Sequence, residues 1–395
     1  AATSSFFRNV TMSTATDFIS GTANTFNKVI MPGTTCSIGG DGNTFDTLIC
    51  NNPGQAISIY NNVTVIVNSL LQADGNCNGL TSITSGGTAV ISKPAGTVTL
   101  NYVLLQGITG AGGATFIANN SVNGGNVTGI TINAPAPQNL FWVGGTGNWN
   151  DVNHWSTSSG GAGGSCVPSQ FDNIFFDANS FPSAGDSVKI NVPTIYCNTM
   201  DWSAANTPVL YSTSNIRLNL YGSLILNSSL IWAVLGDIYL LSPTAGNIIN
   251  TYGVVLQGQG SGTNLRFSGS GSWSLQSGIS LGNSGSMRFD SGTFLSNGLP
   301  VICNDFYINA SAATTVMLDT STINCGGSWN VSNTFLLTLD ADSTFITSNS
   351  FSGGVGRIYR DVVCGTIDDC CYFKLFQECY HVDCNRFHLR NRQYF

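Results

Sequence analysis

The chain has 395 residues, 42% apolar and only 8% charged, with a net charge of −7. Ten per cent aromatic content supplies a substantial core, so the scarcity of charge does not mean disorder. The acidic, lysine-poor balance argues against nucleic acid, and no apolar run reaches the roughly 18 residues that a spanning helix needs.

Without the last 26 residues the chain keeps nine of its 13 basic residues and 18 of its 20 acidic ones, a balance of −9, and all 18 acids are Asp. A chain without Glu, and rich in Gly, Ser, Thr and Asn, lacks the residues that build surface helices. It reads as nearly all-β.

The first elements repeat. "FFRNVTM", "TFNKVIM" and "TFDTLIC" place Phe7, Phe26 and Phe45 at intervals of 19 residues, each ahead of alternating apolar positions. This is one strand recurring once per coil, as in a solenoid whose coils cannot bury their apolar face alone. Residues 1–133 read as the C-terminal part of one solenoid repeat unit. Ala-Pro pairs at 134–138 then make an extended linker.

Next comes "FWVGGTGNWNDVNHWS", with Trp142, Trp149 and Trp155 inside fourteen residues and with His154, the one histidine outside the last 26 residues. Two readings stand side by side. The aromatics form a hydrophobic cap over the first coil, as solenoid ends require, or Trp142, Trp149, His154 and Trp155 form a platform on which sugar rings stack. Asp151, together with Asp172 and Asp177 of "QFDNIFFDANS", offers carboxylate oxygens suited to calcium. Asx turns account for the same residues, and Asp340 and Asp342 in "LDADS" form a weaker version of that pattern. No other cofactor is expected.

From about residue 186 onward, short alternating strands such as "IRLNLYGSLILN", "DIYLLSP" and "SMRFDSGTFLSNG" are separated by Gly, Ser and Asn turns. A parallel β-helix with coils of about 20 residues fits this texture, with β-sandwich modules as the alternative. Fixed aromatic spacing and frequent Asn and Gly, which tolerate left-handed corners, favour the helix. Residues 139–366 therefore read as the Trp-rich cap and solenoid of a second repeat unit.

Eight cysteines precede residue 370 and none forms a CxxC pair, which argues against a metal ribbon. Positions such as the end of "TLIC" favour buried small side chains over scattered disulfides. The seven Asn-x-Ser/Thr sequons are expected from composition.

The last stretch, 367–395, differs in kind. Codons for Cys370–Phe395, read one nucleotide later, can regenerate Ala1–Phe26 at all 26 positions. These residues are a shifted-frame translation of the N-terminal coding sequence, so Cys370, Cys371, Cys379, His381 and Cys384 are not a zinc site. The coding sequence thus returns to its own start, as in a tandem array. Joining residue 369 to residue 1 puts Tyr359 of "IYRDVV" 17 positions before Phe7, in the same strand motif. The missing initiating Met and leader fit an internal piece of a longer chain.

"FWVGGTGNWNDVNHWS", "CVPSQFDNIFFDANSF", "YCNTMDW" and "LYGSLILN" together resemble the tandem modules of very large secreted surface proteins of gliding and related Bacteroidetes. The resemblance covers most of residues 116–363. It implies an adhesin, extracellular and associated with the outer membrane, whose partners are surface polysaccharides, other cells and neighbouring copies. It brings no catalytic residues. The rival is a carbohydrate-active β-helix enzyme, a polysaccharide lyase or glycoside hydrolase, which needs a paired acid and base. One His, three Lys and no Glu before residue 370 leave little material for one.

Overall fold

The structure is a computed structural model that describes residues 5–12, 15–50, 52–258, 261–282, 284–366 and, for their backbone, 387–388. It is all-β, 52% strand and 1% helix, and its coils form a parallel β-solenoid of about 15 turns stacked roughly 22 residues apart. Consecutive coils pair in parallel almost throughout, which excludes the sandwich: a sandwich of hairpins would pair antiparallel. No helix among the described residues is long and apolar enough to cross a membrane. The chain divides into two compact units, Ala1–Ala136 and Pro137–Phe395, at a point inside the Ala-Pro segment.

In the first unit Phe6–Thr11, Thr25–Ile30, Asn43–Ile49 and Thr64–Gln72 are successive rungs of one face. Phe7 pairs with Phe26 and Phe26 with Phe45, so the 19-residue spacing is one coil. The rings stack at 4.9 and 5.0 Å, with interplanar angles of 12° and 8°. Later coils are longer, Val65 pairing with Ile91. Thr81–Lys93 is long enough to serve two faces, pairing Ile83 with Ile57 near its start and Ile91 with Val65 near its end. Close backbone approach at the corners demands glycine: a Cβ on Gly107 would meet the Gly87 carbonyl at 2.4 Å.

The second unit has one face running from Asn139–Trp142 through Asn173–Phe175 to Leu337–Asp340. Another face runs from Thr194–Cys197 through Ile216–Leu220, Gly236–Leu240, Asn264–Phe267, Ser286–Phe289, Asp305–Asn309 and Ser328–Asn333 to Phe345–Ser352. Every second residue turns inward, because successive strand side chains alternate faces. Phe267, Phe289, Phe306 and Trp329 stack at 4.7, 4.9 and 4.4 Å, and Phe351 follows at 6.1 Å. Burying one such side chain contributes about 1.5–3 kcal/mol, and only the neighbouring coil makes that burial possible. Several corners use Asn in the left-handed region, among them Asn62, Asn126 and Asn297.

Tyr359 departs from its expected place. It precedes the strand Asp361–Thr366 instead of lying in it, and its ring meets Phe351 edge-on at 82°. Its hydroxyl donates to the Gly353 carbonyl at 2.6 Å. The same ring also meets Trp329 edge-on at 5.9 Å, so it packs beside the end of the aromatic column and does not continue the stack. The cysteine and histidine cluster of the last 26 residues lies outside the described residues. Of that stretch the structure describes only Phe387–His388, a two-residue strand antiparallel to Val363–Cys364.

Candidate functional site

The tryptophan cluster is interior. Trp142 and Trp155 are 0% exposed and Trp149 2%. Trp155 meets Trp142 and Trp149 edge-on at 5.2 Å in both cases. Phe176 packs against all three and stacks on Trp202 at 3.5 Å. Two of the indole N–H groups are satisfied inside, Trp142 donating to the Gly145 carbonyl and Trp155 to the Trp149 carbonyl, while that of Trp202 is buried without a hydrogen-bond partner. His154 lies flat on Trp142 at 4.7 Å and its Nδ1 donates to the Val143 carbonyl at 2.7 Å. Gly147 makes room for that ring, since a Cβ there would meet His154 Nε2 at 2.0 Å. The sugar-stacking expectation is therefore corrected: buried indoles have no open face for a pyranose. Sequence shows three large aromatics close together, whereas only packing shows which way they point.

The three aspartates are each taken up locally. Asp151 accepts from the Asn153 N–H at 3.0 Å and caps the short 3-10 turn Val152–His154. Asp172 accepts from the N–H groups of Gln138 and Ser169, and from the Ser169 hydroxyl at 2.6 Å. Asp177 accepts from the Asn179 N–H at 2.9 Å and the Ser180 hydroxyl. The Asp151 and Asp177 contacts are Asx turns, whereas Asp172 accepts from residues that precede it and ties Gln138 to its own loop. Among the described residues no three or more His, Cys, Asp or Glu side chains gather as metal ligands. At the other end, burial and the charges of Asp342 and Asp319 push the Asp340 carboxyl above its ordinary range.

Six of the eight cysteines before residue 370 are buried free thiols, as expected of small interior side chains. Cys77 and Cys166 differ: both are disulfide-bonded. Burial, with a smaller contribution from the Asp172 charge, raises the Cys197 thiol far above its usual range, so it is not a nucleophile at neutral pH.

The most distinctive chemistry faces outward. Tyr196, Asn219, Tyr239, Arg266, Arg288, Tyr307, Asn330 and Ser352 hold the same register position on eight successive rungs, Asn219 buried and the other seven half-buried. At about 4.8 Å per rung the column is roughly 34 Å long. Arg217 stands in the next column and lies over the Tyr239 ring at 3.7 Å. Arg266 donates to the Tyr239 hydroxyl at 2.8 Å, and Arg288 lies over Tyr307 at 4.9 Å.

None of these arginines has a carboxylate in contact. The only ion pair among the described residues joins Arg360 to Asp361. Asp237, Asp290 and Asp305 are near, but they accept from Asn264, Ser268 and Ser328 respectively. Burial pulls Arg266 downward, and the Tyr239 hydrogen bond and the charges of Tyr239, Asp290 and Asp237 more than offset it, so its cation is held. Its Nε is buried without a hydrogen-bond partner.

The arrangement presents a straight line of guanidinium, phenol and amide groups suited to the carboxylates and hydroxyls of an extended polymer. Sequence reasoning passed it over. The signal was there, in the outward residue between two inward apolar ones in "TIYC", "DIYL", "NLRF", "SMRF" and "DFYIN". Aligning those residues requires the coil lengths, which vary. The chain matches no protein-family model, no curated protein and no solved structure.

Proposed function

We propose that the chain is a structural and adhesive module of a large secreted repeat protein displayed at the cell surface, and that its outward arginine–tyrosine column holds surface polysaccharides. The observation that carries this reading is the column itself: eight rungs in register, with Arg266 and Arg288 in it and Arg217 beside it, none of them in an ion pair among the described residues. The disulfide-bonded Cys77 and Cys166 fit an oxidising compartment. Stacked aromatics make a stiff support, since each coil is fixed by its neighbours.

The test is binding of a uronic-acid polymer and of a neutral glucan to the full chain and to an Arg266→Ala/Arg288→Ala double variant. Charged hydrogen bonds contribute about 1.5–3 kcal/mol each, so the variant should bind the acidic polymer at least about tenfold more weakly. Equal binding by both proteins, or no binding by the parent chain, ends the column proposal.

One observation favours the enzymatic rival, the carboxyl of Asp340 raised beside Asp342 and Asp319. Glycosidic bond cleavage uses a pair of carboxyl groups, one of them with a raised pKa. Release of reducing or unsaturated ends from a polysaccharide, lost in Asp340→Asn, would transfer the chain to that class.

A further inference from the structure

Cys303 and Cys325 hold the same register position on consecutive coils, at the ends of the strands Val301–Cys303 and Thr322–Cys325. Both face the core, at 2% and 3% exposure, and their Sγ atoms are 3.8 Å apart. We infer that this pair is an oxidation site that closes into a disulfide between neighbouring coils. The rung spacing of about 4.8 Å falls within the Cα separations of about 4.4–6.8 Å that disulfides span. Closing the sulfurs to about 2.05 Å therefore asks for side-chain rotation and no change of register.

The column also says which cysteine is excluded. One residue beyond the Asn324–Thr347 pair, the rung after Cys325 carries Ser348, and Ser348 in turn pairs with Cys364. Cys364 is thus two rungs from Cys325, about 9.6 Å, which is beyond disulfide reach. Serine between them makes the Cys303–Cys325 bridge specific.

The oxidant is a small-molecule disulfide. One cysteine thiolate attacks it and expels one small thiol, and the second cysteine attacks the protein sulfur of the mixed disulfide and expels the other. Two protein thiols become one disulfide while the small disulfide is reduced to two thiols, so electrons and protons balance. Contact with Cys325 and burial both raise the Cys303 thiol well above its usual range, so native exchange is slow. The reaction belongs to the stage when the coils close on one another. Its chemistry stands on geometry alone, and only its occurrence in the mature protein rests on the secreted reading above.

The test refolds the full chain in oxidised and reduced glutathione and cleaves it with cyanogen bromide under non-reducing conditions. Met317 is the one methionine between the two cysteines, and Cys303 is the one cysteine between Met287 and Met317. The fragments on either side of Met317 should stay joined until reductant is added. They should separate in Cys325→Ser and stay joined in Cys364→Ser. Separation in the refolded parent chain with β-sheet circular dichroism intact would overturn the inference, as would joined fragments in Cys325→Ser, which would assign the bridge to another cysteine. Either result is independent of polysaccharide binding, so failure here leaves the adhesive reading to its own test.

Discussion

Both units are stacks of parallel coils, but their interiors are filled differently. The second is filled by stacked rings, from Phe267 to Phe351, and it opens with the sealed cluster of Trp142, Trp149, Trp155, Phe176 and Trp202. The first is mostly aliphatic, with a short stack of Phe7, Phe26 and Phe45 whose outermost ring, Phe7, is 41% exposed, and it holds a buried polar cluster. There Asp17, 1% exposed, accepts from the Gly33 N–H at 2.8 Å and from the Cys36 thiol. The Gln55 amide NH2 lies within hydrogen-bond reach of the Met31 carbonyl, the Gly33 carbonyl and Cys36 Sγ, which share its two hydrogens. An aromatic column stabilises through contact area and tolerates imprecise neighbours. A buried polar group stabilises only while each of its partners is kept, since losing one leaves the other unsatisfied. The solenoid is therefore indifferent to interior chemistry so long as each coil matches the next.

The largest expected effect tests the sealed end. Trp155→Ala should cost about 3–5 kcal/mol, the range for deleting a buried large aromatic, read as a drop in denaturant midpoint. Phe7→Ala, half open already, should cost less than half of that. Comparable losses at both sites would mean that the exposed end of the first unit is as well packed as the capped one, and the contrast would fail.

Next in size is the polar interior. Asp17→Ala strips acceptors from the Gly33 N–H and the Cys36 thiol, and should cost about 1–3 kcal/mol. A neutral or stabilising result would show that the first unit keeps Asp17 for some purpose other than stability. Smaller still is the effect of metal. Because Asp151, Asp172 and Asp177 spend their oxygens on turn N–H and hydroxyl groups, a calcium chelator should leave the melting temperature unchanged, and a clear fall would reinstate the ion.

The smallest effect is on pH dependence. The folded Asp340 carboxyl lies above its ordinary 3.8, so the folded chain holds that proton more tightly than the unfolded one. Its stabilising contribution is complete below 3.8 and is lost as pH rises through the raised value. Asp340→Asn should therefore gain on the parent chain at neutral pH and lose that gain in acid. A gain independent of pH would place its cause outside Asp340 ionisation.

Composition and spacing alone determined that this is an all-β chain of stacked coils. With no Glu before residue 378 and with Gly and Asn at the corners it could build little else, and the interval from Phe7 to Phe26 to Phe45 is the length of a coil. Strand alternation also states which residues share a side, but not which side is covered, so the tryptophans, read as a cap ahead of a platform, are placed only by Phe176 packed against them and Trp202 stacked on it. Tertiary structure alone decided three further things: that Tyr359 packs edge-on beside Trp329 and Phe351, that Cys303 faces Cys325, and that the tyrosines and arginines of five strands fall in one line of eight rungs. Each depends on register between coils of unequal length, and register is set by packing across the stack, whereas a sequence lists its residues only along the chain.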